Sequence, residues 1–230
     1  MYMQMDSLDV TVAVVRTWNN PEIRRRIDAL LTFLPHVLIL INAAKDTDYT
    51  TRLLEGIPAN RITVLSLDTG LYFWSLPLNA ALRHLDAAGA PHQFIFPCSV
   101  EAAFERPHLE AMLRAFADPT VGVVGTSFKG IKNDSEVPLG SSYAVPRNTG
   151  MVIRRAVFAG PLKDGFDPVC DALGGMEDAD FVNRMEAQTP YKAVMLNLQV
   201  PLTVGANWNQ AEKEAREAEA LRKIKELRGQ

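Results

Sequence analysis

The chain has 230 residues, a net charge of −3 and a hydrophobic fraction of 47%, which suits one α/β-sized core with a small appendage. The mild negative charge argues against a nucleic-acid partner that requires a broad basic face. No apolar run approaches the roughly 18 residues of a membrane span, and we expect no secretory signal, because no basic segment followed by an apolar one opens the chain. Two cysteines, Cys98 and Cys170, are too few for a disulfide framework and predict reduced thiols in the cytoplasm.

The first half of the chain alternates between strand and helix patterns. Short β-branched and apolar runs predict strands, and apolar residues at helical spacing predict helices. Strands are predicted at residues 10–15, 37–41, 62–67 and 94–96, and helices at 23–34, 47–55 and 76–85. This order predicts an α/β fold whose mostly parallel central sheet has helices on both faces.

The second half is less regular and ends in a charged helix. Helices are predicted at residues 107–117 and 178–187, and strands at 121–126, 149–153 and 191–200. The segment 127–147 has little periodicity, and a loop of that length is usually a lid or a binding loop. We therefore divide the chain into a domain at 1–207 and a helical extension at 208–230.

The extension is rich in Ala, Glu, Lys and Arg, and a narrow apolar stripe runs along it. The stripe consists of Ala211, Ala215, Ala218, Leu221, Ile224 and Leu227. Such a helix either packs onto its own domain or joins two copies of the chain as a homodimer, and both interpretations stay open.

Polar residues follow the predicted strands of the first half. In an open parallel sheet, ligands bind beyond the carboxyl ends of the strands, so these residues are candidates for one site. They are Arg16, Thr17 and Trp18 after the first strand, Asn42 after the second, Asp68 after the third, and Ser99 and Glu101 after the fourth. An aromatic ring with hydrogen-bonding neighbours suits a flat heterocycle such as a nucleobase.

Several common sites are not indicated. No G-x-G-x-x-G follows the first strand and no G-x-x-x-x-G-K-[ST] occurs, which argues against a dinucleotide enzyme and a P-loop NTPase. The four histidines and two cysteines lack the spacing of a zinc site.

The segment 174–184 carries three acids at the predicted start of a helix. Glu177, Asp178 and Asp180 would interact favourably with the helix dipole, so simple capping is one interpretation. The alternative is that the helix start holds a carboxylate at a pocket rim, where it could deprotonate an acceptor hydroxyl.

The order of motifs resembles the family-2-like glycosyltransferases with the GT-A fold, over roughly residues 9–205. The resemblance covers VAVVRTWN, LPLNAAL through FIF, and VGVVG. Its most specific part is NTGMVIRR followed by GFD and GMEDADF, at residues 148–155, 165–167 and 175–181.

The resemblance implies transfer of a sugar from a UDP- or GDP-sugar donor to an acceptor hydroxyl, normally with inversion. Asp178 would be the catalytic base, and Glu177 would bind acceptor or orient the site. Trp18 would flank the nucleobase, and Asn42 stands where the family usually has a base-contacting Asp.

The chain departs from the family where a metal would bind. The Asp-x-Asp motif should follow Phe96, but the sequence there is Pro-Cys-Ser with only Glu101 nearby, and no histidine occurs at 200–207. Divalent metals require hard oxygen ligands, so we expect a site that is metal-independent or binds a metal only weakly. The candidate groups on the diphosphate or acceptor side are Arg16, Lys129, Lys132, Arg147 and Asn148, since arginine can bind phosphate bidentately.

Two other classes of protein are alternatives to an enzyme of this kind. The missing metal acids favour an inert relative that binds a nucleotide or a sugar or serves in assembly, whereas the Glu177–Asp178 pair favours an enzyme. A nucleotidyltransferase is disfavoured by the missing glycine-rich loop and metal acids.

Overall fold

The computed structural model describes residues 8–16, 23–42, 51–52, 54–68, 74–89, 92–129, 150–173, 175–202 and 210–229. Over these ranges the chain forms a seven-stranded sheet flanked by helices, as the sequence predicts. Within the same ranges, no helix is both long enough and apolar enough to cross a lipid bilayer.

The sheet has the order β3-β2-β1-β4-β6-β5-β7. Its strands are β1 Thr11–Arg16, β2 Val37–Asn42, β3 Ile62–Leu67, β4 Phe94–Ser99, β5 Val121–Lys129, β6 Met151–Arg154 and β7 Lys192–Pro201. Pairing is parallel except on both sides of β6, which runs antiparallel to β4 and β5. The carboxyl ends of β1, β2, β3 and β4 therefore lie at one edge.

The helices lie close to their predicted positions, except for the one at Val169–Leu173, which the sequence did not predict. They are α1 Ile23–Leu31, α2 Ser75–Ala87, α3 Arg106–Arg114, α4 Val169–Leu173, α5 Glu177–Gln188 and α6 Gln210–Arg228. Single 3-10 turns occur at Ala115–Ala117, Arg155–Phe158 and Gly160–Leu162. Of the helix predicted at 47–55, residues 51, 52 and 54 are described and helical.

Two apolar layers sandwich the sheet, because side chains of a strand alternate between its faces. Ala13 and Val15 of β1 face the layer that contains α1 and α3. Val12 and Val14 face the opposite layer, which contains α2 and α5. Burial on both faces explains why residues 12–15 of β1 are all apolar.

The C-terminal helix α6 packs against α4 and the start of α5. Ala220 and Ile224 are buried there in a small cluster with Cys170, Met176 and Ala179. Of the predicted stripe, Ile224 makes this contact, whereas Ala215 and Ala218 are exposed and Leu227 is 65% exposed; the side chains of Ala211 and Leu221 lie outside the described part of the structure. Residues 220 and 224 are four apart and therefore lie on the same side of the helix.

Candidate functional site

The site begins where β1 ends, at Arg16. This residue is paired across the sheet with Ser99, the last residue of β4. Its guanidinium lies 4.6 Å from the ring centroid of Trp74, which is 4% exposed and immediately precedes α2. A guanidinium over an indole face is a favourable cation–π contact, so Trp74 holds Arg16 at the edge of the sheet.

The acid pair Glu177 and Asp178 forms the first turn of α5 and faces the same region. The two residues are 7% and 6% exposed. The backbone N–H of Trp74 donates to Glu177 Oε1 over 3.3 Å, and the N–H of Ala179 donates to Asp178 Oδ1 over 2.9 Å. The structure thus brings together Arg16, the indole that supports it, and the acid pair.

The electrostatics of the pair are dominated by burial. Loss of water contact, and next the neighbouring Asp178 carboxylate, raise the pKa of Glu177 to about 7, with Asp171 adding to the effect and Arg16 opposing it. Two carboxylates in one buried place resist simultaneous ionisation. The pair therefore carries less than two full negative charges near neutral pH.

The first turn of α2 is capped by residues almost a hundred positions later in the chain. The N–H groups of Ser75 and Leu76 donate to the two carboxylate oxygens of Asp171, over 3.3 and 3.2 Å. Together with the bond from Trp74 to Glu177, these contacts satisfy amides that a helix start leaves without intrahelical partners. Helix α2 and the acid pair are consequently held as one unit.

The Gly-Phe-Asp turn at 165–167 joins α5 to α2. Asn79 of α2 donates from Nδ2 to the carbonyl of Phe166 over 2.6 Å, and its Oδ1 accepts the Phe166 N–H over 2.9 Å. Gly165 has a φ of 75°, and a Cβ there would lie 2.3 Å from Asn79 Oδ1. The Phe166 ring stacks on Phe181 of α5 with centroids 4.3 Å apart. The motif therefore fixes the position of α5.

A network of two arginines surrounds Asp180, which is 2% exposed. Arg184 Nε donates to Asp180 Oδ2 over 2.7 Å, and its Nη2 donates to the carbonyl of Gly165 over 3.0 Å. Arg228, from the end of α6, donates from Nε and Nη2 to Asp180 over 3.2 Å and from Nη2 to Asp167 Oδ2 over 2.6 Å. Asp180 thus ties α5 to α6.

The end of β4 does not fit a divalent metal. Cys98 is 2% exposed and packs in the layer with α1, and burial raises the pKa of its thiol. Ser99 Oγ donates to Glu101 Oε2 over 2.7 Å. The described part of the chain contains no group of three or more acids, histidines or cysteines suited to a metal. A hard cation requires several oxygen ligands.

The predicted site residues fall into three groups. Arg16, Glu177 and Asp178 come together, and Ser99 and Glu101 are bonded to each other beside Arg16. Asp68 follows β3, is exposed and is separated from β1 by the width of β2. The others lie outside what the structure describes: the side chains of Asn42 and Lys129, and all of Thr17, Trp18, Lys132, Arg147 and Asn148.

Three residues that sequence reasoning missed complete the site. Trp74 supports Arg16, Asp171 caps α2, and Arg228 binds Asp180. For Trp74 the sequence held a usable signal, because this tryptophan directly precedes a helix that has a proline near its start. The other two depend on contacts between distant segments, which spacing along the chain does not reveal.

Comparison with known proteins supports the fold. No protein-family model and no curated protein matches the chain. A crystal structure of residues 1–349 of Staphylococcus aureus TarS matches with a TM-score of 0.55 and 18% identity, covering 94% of this chain and 72% of that one. A second structure of the same protein, in complex with UDP-GlcNAc, matches with a TM-score of 0.56 and 18% identity, covering 87% of this chain and 60% of that one. The chain therefore has a GT-A-like glycosyltransferase fold.

Proposed function

We propose that this protein is a glycosyltransferase that moves a sugar from a nucleotide-sugar donor to an acceptor hydroxyl, with inversion. One observation carries the proposal: Arg16, on its Trp74 support, and the buried Glu177–Asp178 pair meet at the strand ends of a GT-A-like sheet. The UDP-GlcNAc bound to Staphylococcus aureus TarS supports a nucleotide sugar as donor.

The proposed reaction is a single displacement. The Asp178 carboxylate accepts the proton of the acceptor hydroxyl, and the acceptor oxygen attacks the anomeric carbon of the sugar. The bond from that carbon to the donor diphosphate breaks, and the nucleoside diphosphate leaves with the electron pair. Glu177, with its raised pKa, is available as a neutral hydrogen-bond donor beside this base.

The leaving diphosphate requires positive charge at the sheet edge. We assign this role first to Arg16, because a guanidinium can bind phosphate oxygens bidentately and the end of β4 does not fit a metal. The other donor-side residues of the proposal are Thr17, Trp18, Asn42, Asp68, Ser99 and Glu101. Further residues on the diphosphate or acceptor side are Lys129, Lys132, Arg147 and Asn148.

The test is transfer and donor hydrolysis with a panel of UDP- and GDP-sugars, comparing wild type with Asp178→Asn. Loss of a general base lowers turnover by about 10²- to 10⁴-fold, while nucleotide affinity stays the same. Asp164→Asn removes an exposed carboxylate near the Gly-Phe-Asp turn and serves as the matched control. Full activity of Asp178→Asn would contradict the proposed base.

A second candidate is an inert GT-A-like protein that binds a nucleotide or a sugar or serves in assembly. The poor fit of the β4 end to a metal favours it. Binding of UDP or GDP without turnover of any donor would support it over the enzyme.

The proposal that the site needs no metal is tested by calorimetric titration of UDP and GDP with and without Mn²⁺. Strong dependence of nucleotide binding on the metal would contradict it.

Homodimerisation through α6 and a cytoplasmic location are further parts of the proposal. Leu227, near the end of α6, stays 65% exposed although the helix packs on its own chain, so its apolar side chain is available to a second copy. Light scattering of the full chain, with Leu227→Glu as a variant, tests the dimer, and a monomeric mass for the wild type would contradict it.

A further inference from the structure

We propose that Arg228 is a positioning residue for the Glu177–Asp178 pair, so that α6 is a working part of the site. This inference rests on the proposed function for its catalytic consequence. It starts from the contact of Arg228 with both Asp180 and Asp167, one on α5 and one in the Gly-Phe-Asp turn. One side chain at the end of α6 thus joins the two segments that position the acid pair.

Asp180 requires this contact because it is almost fully buried. A carboxylate that is 2% exposed loses its hydration and must be compensated by charged hydrogen bonds. Arg184 supplies one bond to Oδ2, and Arg228 supplies bonds to both Oδ1 and Oδ2. Without Arg228, Oδ1 of Asp180 would lose the contact that α6 makes to it.

The effect reaches the acid pair through the first turn of α5. Asp180 lies two residues after Asp178 in this turn, and its N–H donates to the carbonyl of Met176. Met176 has a φ of 70°, an unusual conformation for a side-chain-bearing residue, and it is buried against Ile224 and Ala220 of α6. Such a conformation persists where the surroundings hold it, so α6 fixes the backbone from which Glu177 and Asp178 project.

Arg228 and Ile224 act on the same turn in different ways. Ile224 packs on the residue before the acid pair, and Arg228 binds the carboxylate after it. The start of α5 is therefore held on both sides by one helix. A small displacement of a general base away from its substrate lowers the rate without abolishing binding, so the loss should appear in kcat.

The test compares Arg228→Gln with Arg228→Lys and with Arg222→Gln. The glutamine removes the charge, and the lysine keeps it without the two-pronged geometry. Arg222 is the matched control, because it lies on the same helix and pairs with Glu219 and Glu226 of α6 itself. Amide hydrogen exchange of the segment 175–182 is measured in the full chain, and kcat and KM are measured with the preferred donor.

We expect Arg228→Gln to speed exchange in 175–182 at least about tenfold, with exchange in β1 and α3 unchanged, and to lower kcat by about 10- to 100-fold with little change in donor KM. Arg228→Lys should recover part of both effects, and Arg222→Gln should show neither. Unchanged exchange in Arg228→Gln would overturn the inference, as would altered exchange with an unchanged kcat.

The exchange measurement does not depend on turnover. If the wild type transfers no sugar, the proposed function fails, whereas the exchange result alone still decides whether Arg228 holds the acid pair in place. Because the glutamine could also weaken folding, thermal unfolding of each variant is recorded. A uniform increase in exchange over the whole chain would contradict a local positioning role.

Discussion

The guanidinium of Arg16 lies over the indole of Trp74, 4.6 Å from the ring centroid, at the point where the first strand of the sheet ends. The contact joins a strand end to a helix start, and the N–H of the same tryptophan donates to Glu177. A cation and an acid thereby contact one residue, the first at its ring and the second at its backbone N–H. Trp74 thus links Arg16 at the end of β1 to Glu177 at the start of α5.

Arg16→Gln should weaken binding of UDP or GDP by about 10- to 100-fold, the usual value of a charge-assisted hydrogen bond. Binding of the nucleoside, which lacks phosphate, should change little. The measurement is calorimetric titration of each ligand, with Arg83→Gln on the exposed side of α2 as the control. Equal losses for nucleoside and nucleoside diphosphate would show that Arg16 does not bind the phosphates.

Glu177→Gln should stabilise the protein at alkaline pH. The pKa of Glu177 is raised from 4.5 to about 7 in the folded chain, so between these values the unfolded state binds fewer protons and wild-type stability falls as pH rises. Glutamine resembles the protonated form and avoids this loss, which reaches ~3 kcal/mol above the folded pKa.

Urea denaturation of wild type and Glu177→Gln near pH 8.5 and near pH 4 measures the difference. It should be largest at the higher pH and close to zero at the lower one. A stability difference that does not vary with pH would contradict a raised pKa for Glu177 in the folded protein.

Gly165→Ala should destabilise the protein by ~3 kcal/mol or more. Its φ is positive, and the added Cβ would meet Asn79 Oδ1, which cannot move away without losing the Phe166 N–H. Gly160→Ala is the matched control, since its φ of 65° is similar but nothing lies within 4 Å of its Cβ position. There we expect about 1 kcal/mol from the backbone alone. Similar losses in chemical denaturation at both positions would show that the Asn79 contact has no role.

Both cysteines should resist a thiol reagent in the folded protein. Cys98 and Cys170 are 2% and 0% exposed, and burial raises the pKa of each thiol. Only the thiolate reacts readily, so modification should be slow in native buffer and fast in concentrated guanidinium chloride. Ellman's reagent measures this, and rapid labelling of Cys98 in the native state would exclude its place in the core.

Local pattern predicted most of the fold. The runs ending at Ile41 and Phe96 indicated strands because burial on both faces requires unbroken apolar residues, and the run ending at Leu67 did so through its β-branched residues Ile62, Thr63 and Val64. The antiparallel insertion of β6 between β4 and β5 was not predictable, since strand order depends on pairing between distant segments. Helix α4 was missed because five residues are too few to show helical periodicity.

The candidate site was predicted only for charged residues that directly follow a strand or begin a helix in the sequence. Arg16 follows a strand, and Glu177 and Asp178 open a helix, so both signals are local. Trp74 and Arg228 gain their roles from neighbours that are far away in sequence. The buried face of α6 was predicted at Ile224 but not at Ala220 for the same reason: a helix with many small residues offers several narrow faces, and contact with α4 and α5 selects one.

The short pairing of β4 with β6 divides the sheet into two sets of strands. That ladder joins Phe94 to Arg154 and Ile95 to Ile153, and it lies between a set ordered β3-β2-β1-β4 and a set ordered β6-β5-β7. Arg16 and Trp74 belong to the segment that builds the first set, whereas the acid pair belongs to the segment of the second. The site therefore draws its cation from one set and its acids from the other, so that its geometry depends on how the two sets pair at β4 and β6.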